Sequence, residues 1–169
     1  MSKPIFLLGF MGVGKTSIGK RLANSLDVPF VDTDELLEKQ LGMSITDYFS
    51  IHEEQSFRAA EKELVENYNF DSAVVATGGG LPCFNKNMEV MNNNGITIFL
   101  DRPAKELQQR LMNAKIQRPL IKDLSDNELL AFIEGKLKKR LPFYKKAKIT
   151  LDRNNQTVEE IRKRLVEVK

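Results

Sequence analysis

Short apolar runs alternate along this chain with longer segments in which apolar residues recur at helical spacing. The short runs predict buried strands at 5–8, 30–31, 73–76, 96–100 and 149–151. The longer segments predict helices at about 15–26, 35–41, 45–68, 86–93, 104–112, 126–141 and 158–168. Strands that alternate with helices are typical of an α/β protein whose parallel sheet is covered on both faces. Ligands of such sheets bind beyond the carboxyl ends of the strands.

One segment, residues 113–125, fits neither pattern. It contains Arg118 and Pro119, and its apolar residues show no regular spacing. A structureless connection of about a dozen residues is uncommon in a compact domain and is often an active-site lid. We therefore predict a lid in this segment.

The residues from Gly9 to Thr16 match the phosphate-binding pattern G-x-x-x-x-G-K-[ST] in full. The match follows a predicted strand and opens a predicted helix, which is the context that the motif requires. Glycines let backbone N–H groups turn toward phosphate oxygens, and the helix N-terminus adds partial positive charge. Lys15 then reaches the terminal phosphates, and the Thr16 hydroxyl binds magnesium. The residues predicted to bind ATP here are Gly12, Val13, Gly14, Lys15, Thr16 and Ser17.

The phosphate motif alone leaves a kinase, a GTPase and an ATPase motor open. GTPases usually read guanine through an Asn-Lys-x-Asp element, which the sequence does not contain, and motors are usually longer than this chain of 169 residues. The dinucleotide fingerprint requires a third glycine at the position of Ser17, so that interpretation is set aside.

Two carboxylates, Asp32 and Asp34, directly follow the second predicted strand. Phosphoryl transfer needs a metal ion to neutralise charge and a residue to orient the nucleophile, and two carboxylates can divide these tasks. The third predicted strand ends without an aspartate, so Asp32 is the better candidate for the metal. The alternative for Asp34 is a helix N-cap, since it precedes Glu35 and two leucines.

Two further features allow both a structural and a functional interpretation. Arg58 and Glu61 are spaced as an exposed i,i+3 ion pair, worth a few tenths of a kcal/mol. Gly78, Gly79 and Gly80 follow the third strand, either as a flexible turn or as backbone that approaches a ligand closely.

Composition narrows the class of protein. The net charge is +3, from 26 basic and 23 acidic residues spread along the chain, without the concentrated basic stripe of a nucleic-acid binder. Cys83 is the only cysteine, which excludes an intrachain disulfide and fits a reducing compartment. The first apolar run is too short for a signal peptide or a membrane span, so we expect a cytoplasmic protein. His52 and Cys83 lie in no metal or nucleophile motif and are interpreted as structural.

Six separated stretches resemble the shikimate kinase family, in that family's order and across nearly the whole chain. They are residues 9–16, 32–34, 57–61, 77–80, 118–120 and 140–147. The resemblance implies a single domain over residues 1–169 with a five-stranded parallel sheet in three α/β/α layers, of the nucleoside-monophosphate-kinase type. It also implies a substrate-binding segment near 33–61, a lid near 113–125, and transfer of the ATP γ-phosphate to the 3-hydroxyl of shikimate with Mg²⁺.

The same resemblance assigns roles to individual residues. Lys15, Asp34 and Arg118 are implied as catalytic, and Thr16 and Asp32 are implied to handle Mg²⁺. The implied ATP contacts outside the phosphate loop are Arg110, Arg118 and Arg153, of which Arg110 and Arg153 match positions that flank adenine. The residues implied to hold shikimate are Asp34, Arg58, Gly79, Gly80 and Arg140. Two arginines suit a small carboxylate because the guanidinium fork binds it through parallel hydrogen bonds.

Two other functions stay open at this stage. A gluconate-type or other small-molecule kinase on the same fold would also bind a polyhydroxylated acid, although the ordered motifs favour shikimate. A non-catalytic nucleotide-binding module is the alternative of another class, and the presence of Lys15, Asp34 and the lid arginine speaks against it. The family and the size suggest a monomer with no nucleic-acid or membrane partner.

Overall fold

The computed structural model describes residues 3–114 and 120–168 of the chain. The strands in these ranges are Ile5–Leu8 (β1), Phe30–Asp32 (β2), Val74–Ala76 (β3), Ile96–Leu100 (β4) and Ile149–Leu151 (β5). They form one sheet in the order β2-β3-β1-β4-β5, and every neighbouring pair is parallel. The predicted α/β class and its five strands are confirmed, with shifts of one residue at the ends of β2 and β3.

The central strand β1 is buried on both of its faces. Leu7 and Leu8 are fully buried, and Phe6 is 3% exposed. Leu7 packs into one hydrophobic cluster, whereas Phe6 and Leu8 pack into a second. Successive side chains of a strand point to opposite faces, so the two clusters lie on opposite sides of the sheet. This explains why β1 is a continuous apolar run rather than an alternating one.

Helices cover the sheet. They are Lys15–Leu26 (α1), Thr33–Leu41 (α2), Ile45–Ile51 (α3), Glu54–Asn67 (α4), Asn87–Asn94 (α5), Ala104–Met112 (α6), Asp126–Tyr144 (α7) and Val158–Glu167 (α8). Helices α1 and α6 have the predicted bounds. In the described ranges, no helix has both the length and the apolar character that crossing a bilayer would require.

The predicted single helix at 45–68 is wrong, because the chain breaks at His52 into α3 and α4. His52 and Glu53 have extended backbone conformations. In a continuous helix, Phe49 and Phe57 would be separated by about 12 Å along the axis. The break instead brings their ring centroids to 4.8 Å, so aromatic packing favours two helices over one.

Helix α7 continues past the predicted end at residue 141. Pro142 lies inside it, and the last helical residue is Tyr144. A proline removes one backbone hydrogen bond and normally ends a helix. Here the final turn is held by tertiary packing, because Tyr144 is fully buried and its ring lies 5.1 Å from that of Phe99.

The carboxyl ends of the three strands that carry the candidate motifs lie level with one another. Ala76 of β3 pairs with Leu7 of β1 on one side and with Asp32 of β2 on the other. The segments that follow β1, β2 and β3 therefore leave the sheet at the same height. This places the phosphate motif, the two aspartates and the glycines at 78–80 around one edge of the sheet.

The predicted lid at 113–125 lies partly outside the described residues. Residues 115–119, which include Arg118, are not among them. On the far side of this gap, Ser125 caps α7 in a capping box with Glu128, which fixes where the helix begins. The lid and the roles assigned to Arg118 stay predictions.

Candidate active site

The phosphate motif forms the turn between β1 and α1. Gly12 and Gly14 have φ values of 82° and 109°, in the left-handed region that L side chains rarely adopt. Gly14 is the N-cap of α1. The first N–H groups of a helix have no partner within it and carry partial positive charge. The turn is therefore built to receive an anion such as a phosphate group.

The ammonium group of Lys15 lies across this turn. Its Nζ donates to the carbonyl oxygens of Gly9, at 2.7 Å, and Phe10, at 3.1 Å. A cation is thus held beside the backbone N–H groups of the turn. Both features attract the same ligand chemistry, which is the negative charge of a polyphosphate.

The Thr16 hydroxyl and the Asp32 carboxylate form a pair of oxygen donors next to the turn. Thr16 Oγ1 donates to Asp32 Oδ2 at 3.0 Å. No group of three or more His, Cys, Asp and Glu side chains in the described ranges could hold a metal ion. Mg²⁺ needs few protein ligands because it keeps several waters, and it prefers oxygen. These two side chains therefore fit Mg²⁺.

Asp32, rather than Asp34, is the N-cap of α2. Its Oδ1 accepts a hydrogen bond from the Asp34 backbone N–H at 3.1 Å, and the helix begins at Thr33. The alternative interpretation of Asp34 as a cap is therefore wrong. Its carboxylate instead lies over the turn after β3, where a Cβ built on Gly78 would be 2.5 Å from Asp34 Oδ1.

Residues 78–80, the glycine turn, are the surface on which the candidate substrate residues meet. A Cβ built on Gly79 would lie 3.1 Å from Arg140 Nη1. One built on Gly80 would lie 2.7 Å from Arg58 Nη1. Each glycine of the turn therefore faces one charged side chain, with Asp34 against Gly78. The structure brings together the carboxylate and the two arginines, which the sequence places on three different helices.

The ion pair of Arg58 and Glu61 is buried, so its interpretation as an exposed surface pair is wrong. Arg58 Nη1 lies 2.8 Å from Glu61 Oε2, and Glu61 is 2% exposed. Arg58 also bonds to Glu54 at 2.8 Å, and its guanidinium lies 4.1 Å from the centre of the Phe84 ring. These contacts hold the guanidinium against Gly80 and leave it little freedom to move.

Burial raises the pKa of Glu61 from 4.5 to about 7, although the charge of Arg58 opposes this shift. The folded protein therefore binds the proton of the Glu61 carboxyl group more tightly than the unfolded chain does. The resulting stabilisation is complete below pH 4.5 and is lost as the pH rises through 7.

We expect the contribution of Glu61 to the free energy of unfolding to fall as the pH rises from 4.5 to 7. The shift in the pKa of Glu61 corresponds to a fall on the order of 3 kcal/mol. Gln cannot titrate, so Glu61→Gln should flatten the slope of the free energy of unfolding against pH, measured by urea unfolding from pH 5 to 8. Glu54→Gln alters the exposed partner of Arg58 and should keep the wild-type slope. Identical slopes in wild type and Glu61→Gln would contradict this assignment.

The structure adds a residue that sequence reasoning did not assign, Thr33. Its Oγ1 is buried and accepts the Gly78 N–H at 2.8 Å. Thr77 Oγ1 in turn donates to the carbonyl of Leu7 in β1 at 3.1 Å. The glycine turn is thus anchored to α2 and β1. The sequence feature that could have indicated this role is the position of Thr33 between the two candidate aspartates.

The two arginines predicted to flank adenine lie near α6. Arg110 Nε donates to the carbonyl of Gly12 at 2.7 Å, which places this arginine directly on the phosphate turn. Arg153 is exposed and pairs with Glu106 at 2.7 Å. Both therefore lie on the nucleotide side of the site, and their contact with adenine stays a prediction.

The surroundings of His52 and Cys83 agree with their interpretation as structural residues. The His52 ring lies 4.3 Å from the Tyr48 ring. Cys83 is half-buried, and burial raises the pKa of its thiol to about 11. A thiol that stays protonated at neutral pH is a poor nucleophile.

The site has two sides. The phosphate-binding turn forms a nucleotide side, and the carboxylate with the two convergent arginines forms an acceptor side. That division, on a parallel sheet whose first strand leads into the phosphate turn, defines the class of protein as a phosphate-loop kinase of small molecules.

Comparison with known proteins gives the family. The family model for shikimate kinase matches residues 11–169. A shikimate kinase of Bacteroides fragilis is 47% identical over 144 residues, which cover 85% of this chain and 80% of that protein. The chain belongs to the shikimate kinase family.

Two solved structures show the same likeness over the full length. A shikimate kinase from Bacteroides thetaiotaomicron is 38% identical with a TM-score of 0.85, covering 98% of this chain and 97% of that one. A shikimate kinase from Acinetobacter baumannii, solved in complex with shikimate, is 30% identical with a TM-score of 0.79, covering 99% and 93%. The agreement in fold therefore extends over both the nucleotide side and the acceptor side.

Proposed function

We propose that this protein transfers the γ-phosphate of ATP to the 3-hydroxyl of shikimate, giving shikimate 3-phosphate and ADP. The product continues toward chorismate and the aromatic amino acids. The observation that supports this best is the convergence of Asp34, Arg58 and Arg140 on the glycine turn, because it offers one carboxylate site and one hydroxyl site.

The nucleotide side holds the phosphates. The N–H groups of the turn and of the start of α1 bind their oxygens, and Lys15 neutralises the charge that spreads over the moving phosphoryl group. Thr16 and Asp32 would hold Mg²⁺, which when bound would offset the negative charge of the terminal phosphates. Arg118 is proposed as a second cation at the phosphates.

The acceptor side holds and activates shikimate. Arg58 and Arg140 bind its carboxylate through charge-assisted hydrogen bonds. Asp34 accepts a hydrogen bond from the 3-hydroxyl and takes its proton as the hydroxyl oxygen bonds to phosphorus. The bond from phosphorus to the leaving oxygen of ADP breaks in the same step. The backbone of the glycine turn fixes the distance between the two ends of the substrate.

The proposal is tested by measuring ADP release with ATP, Mg²⁺ and a panel of acceptors. The panel contains shikimate, quinate, gluconate and nucleoside monophosphates. We expect turnover with shikimate and little above background with the others. Faster turnover with gluconate would favour the alternative kinase, and ADP release with no acceptor would contradict the proposal.

Arg58→Ala and Arg140→Ala are each expected to weaken shikimate binding by about 2–5 kcal/mol, because each leaves a desolvated carboxylate without one of its partners. ATP binding should change far less, since neither arginine is assigned to the phosphates. Isothermal calorimetry with each ligand separates the two effects. Arg140→Ala is the cleaner variant, because Arg58 also neutralises the buried Glu61.

A matched control is Arg162→Ala, which removes an exposed arginine of α8 that bonds to the Ser25 carbonyl. It should bind both ligands as the wild type does. Normal shikimate affinity in the Arg58 or the Arg140 variant would return that arginine to a purely structural role.

A further inference from the structure

Tyr144 occupies the last turn of α7, four residues after Arg140. Its ring is fully buried and packs on Phe99 of β4. A buried tyrosine usually directs its hydroxyl to a hydrogen-bond partner, because an unpaired polar group in the core is costly.

The hydrogen-bond partner of this hydroxyl lies in the glycine turn of the acceptor site. Tyr144 Oη donates to the carbonyl oxygen of Gly79, across 65 positions of sequence. Burial raises the pKa of Tyr144 well above its usual value, and the nearby charge of Arg140 opposes this shift only in part. The phenol therefore keeps its proton, and hence its donor, throughout the neutral range.

The hydrogen bond also sets the direction of the next backbone N–H. The Gly79 carbonyl and the Gly80 N–H belong to one peptide unit, and in a trans peptide they point in opposite directions. The described part of the chain contains no cis peptide bonds. Holding the carbonyl toward the buried phenol therefore turns the Gly80 N–H away from the core.

The Gly80 N–H is consequently available to a ligand. Among the residues that the structure describes, it donates to no backbone carbonyl, whereas the neighbouring amides of Gly78 and Leu81 are both used. Gly80 lies against the Arg58 guanidinium, which is assigned to the substrate carboxylate. An N–H and a guanidinium side by side favour the same anion.

We propose that Tyr144 is a positioning residue for the acceptor: its hydroxyl holds the Gly79–Gly80 peptide so that the N–H, with the two arginines, binds the substrate carboxylate. This inference rests on the proposed function. Thr33 fixes the Gly78 end of the same turn from α2, so the two side chains hold the turn from opposite sides of the site.

The test is Tyr144→Phe, which retains the buried ring and removes only the hydroxyl. We expect KM for shikimate to rise roughly tenfold, as is typical when a buried hydrogen-bond acceptor loses its donor. KM for ATP should stay within about twofold, because the Tyr144 hydroxyl bonds to Gly79 of the glycine turn and the ring packs on Phe99 of β4. Calorimetry at low temperature gives the shikimate affinity directly, even if the variant melts below the assay temperature.

Thr97→Val is the control for the loss of a buried hydroxyl. Thr97 lies near the amino-terminal end of β4, where its Oγ1 donates to Asn92 and accepts the Lys148 N–H. We expect this variant to melt at a lower temperature without a change in KM for shikimate. If Tyr144→Phe raises neither KM, or raises both equally, the inference is overturned. A wild-type protein without activity on shikimate would instead refute the proposed function.

Discussion

Replacing Lys15 by Met is expected to lower kcat by about 10²–10³-fold while the protein remains folded. Lys15 places a cation inside the phosphate turn, 2.7 Å from the Gly9 carbonyl. Losing one preorganised contact of this kind to the charge of a transition state costs roughly 3–4 kcal/mol. Methionine has a similar length and no charge, so the turn keeps its packing. Steady-state kinetics with saturating ATP and shikimate measures the effect.

Lys20→Met, in the same helix, is the control for the loss of an unspecific positive charge. Its ammonium lies 5.7 Å from the centre of the Phe30 ring and outside the phosphate turn. It should retain wild-type turnover. More than a tenth of the wild-type kcat in Lys15→Met would refute the role of Lys15 in phosphoryl transfer.

Asp34→Asn is expected to lower kcat by about 10²–10⁴-fold, the usual range for a positioned proton acceptor. The change keeps the shape of the side chain against Gly78 and removes its charge. It does not disturb the cap of α2, since Asp32 supplies that cap. The magnesium concentration that gives half-maximal activity should be unchanged.

Asp32→Asn is the matched comparison two residues away. Asparagine still caps a helix, so stability should change little. The neutral oxygen is a weaker ligand for Mg²⁺, so the magnesium requirement should rise while shikimate affinity stays near that of the wild type. If both variants show the same magnesium titration and the same loss of kcat, the division of labour between the two aspartates is wrong.

The elements that local sequence determines were predictable. Each strand contains a short apolar run, and β1 and β3 are buried along their whole length. The phosphate motif has a spacing that few other structures require. The break at His52 was not predictable from local sequence, because residues 52–56 are all polar and could equally continue an exposed helix. Tertiary contacts of Phe57 with Tyr48 and Phe49 favour two helices over one.

The sequence proposed the members of the candidate site, whose roles stay predictions, but it did not predict how they are arranged. The spacing of Arg58 and Glu61 indicates a pair and carries no information on its burial, which decides whether the pair is a surface feature or a fixed anchor. The cap of α2 shows the same difficulty, since Asp32 and Asp34 are equally good capping residues by type. Tyr144 meets Gly79 only because α7 packs beside the sheet.

The glycine turn also limits how the acceptor preference of this protein could be re-engineered. Each of its three glycines faces the end of one candidate substrate-binding side chain, so even a methyl group there would push Asp34, Arg140 or Arg58 out of place. A library that randomises residues 78–80 would therefore consist largely of inactive members. A search for enzymes that accept a bulkier acid would do better to vary the residues around the two guanidinium groups, such as Phe84, and leave the backbone of the turn intact.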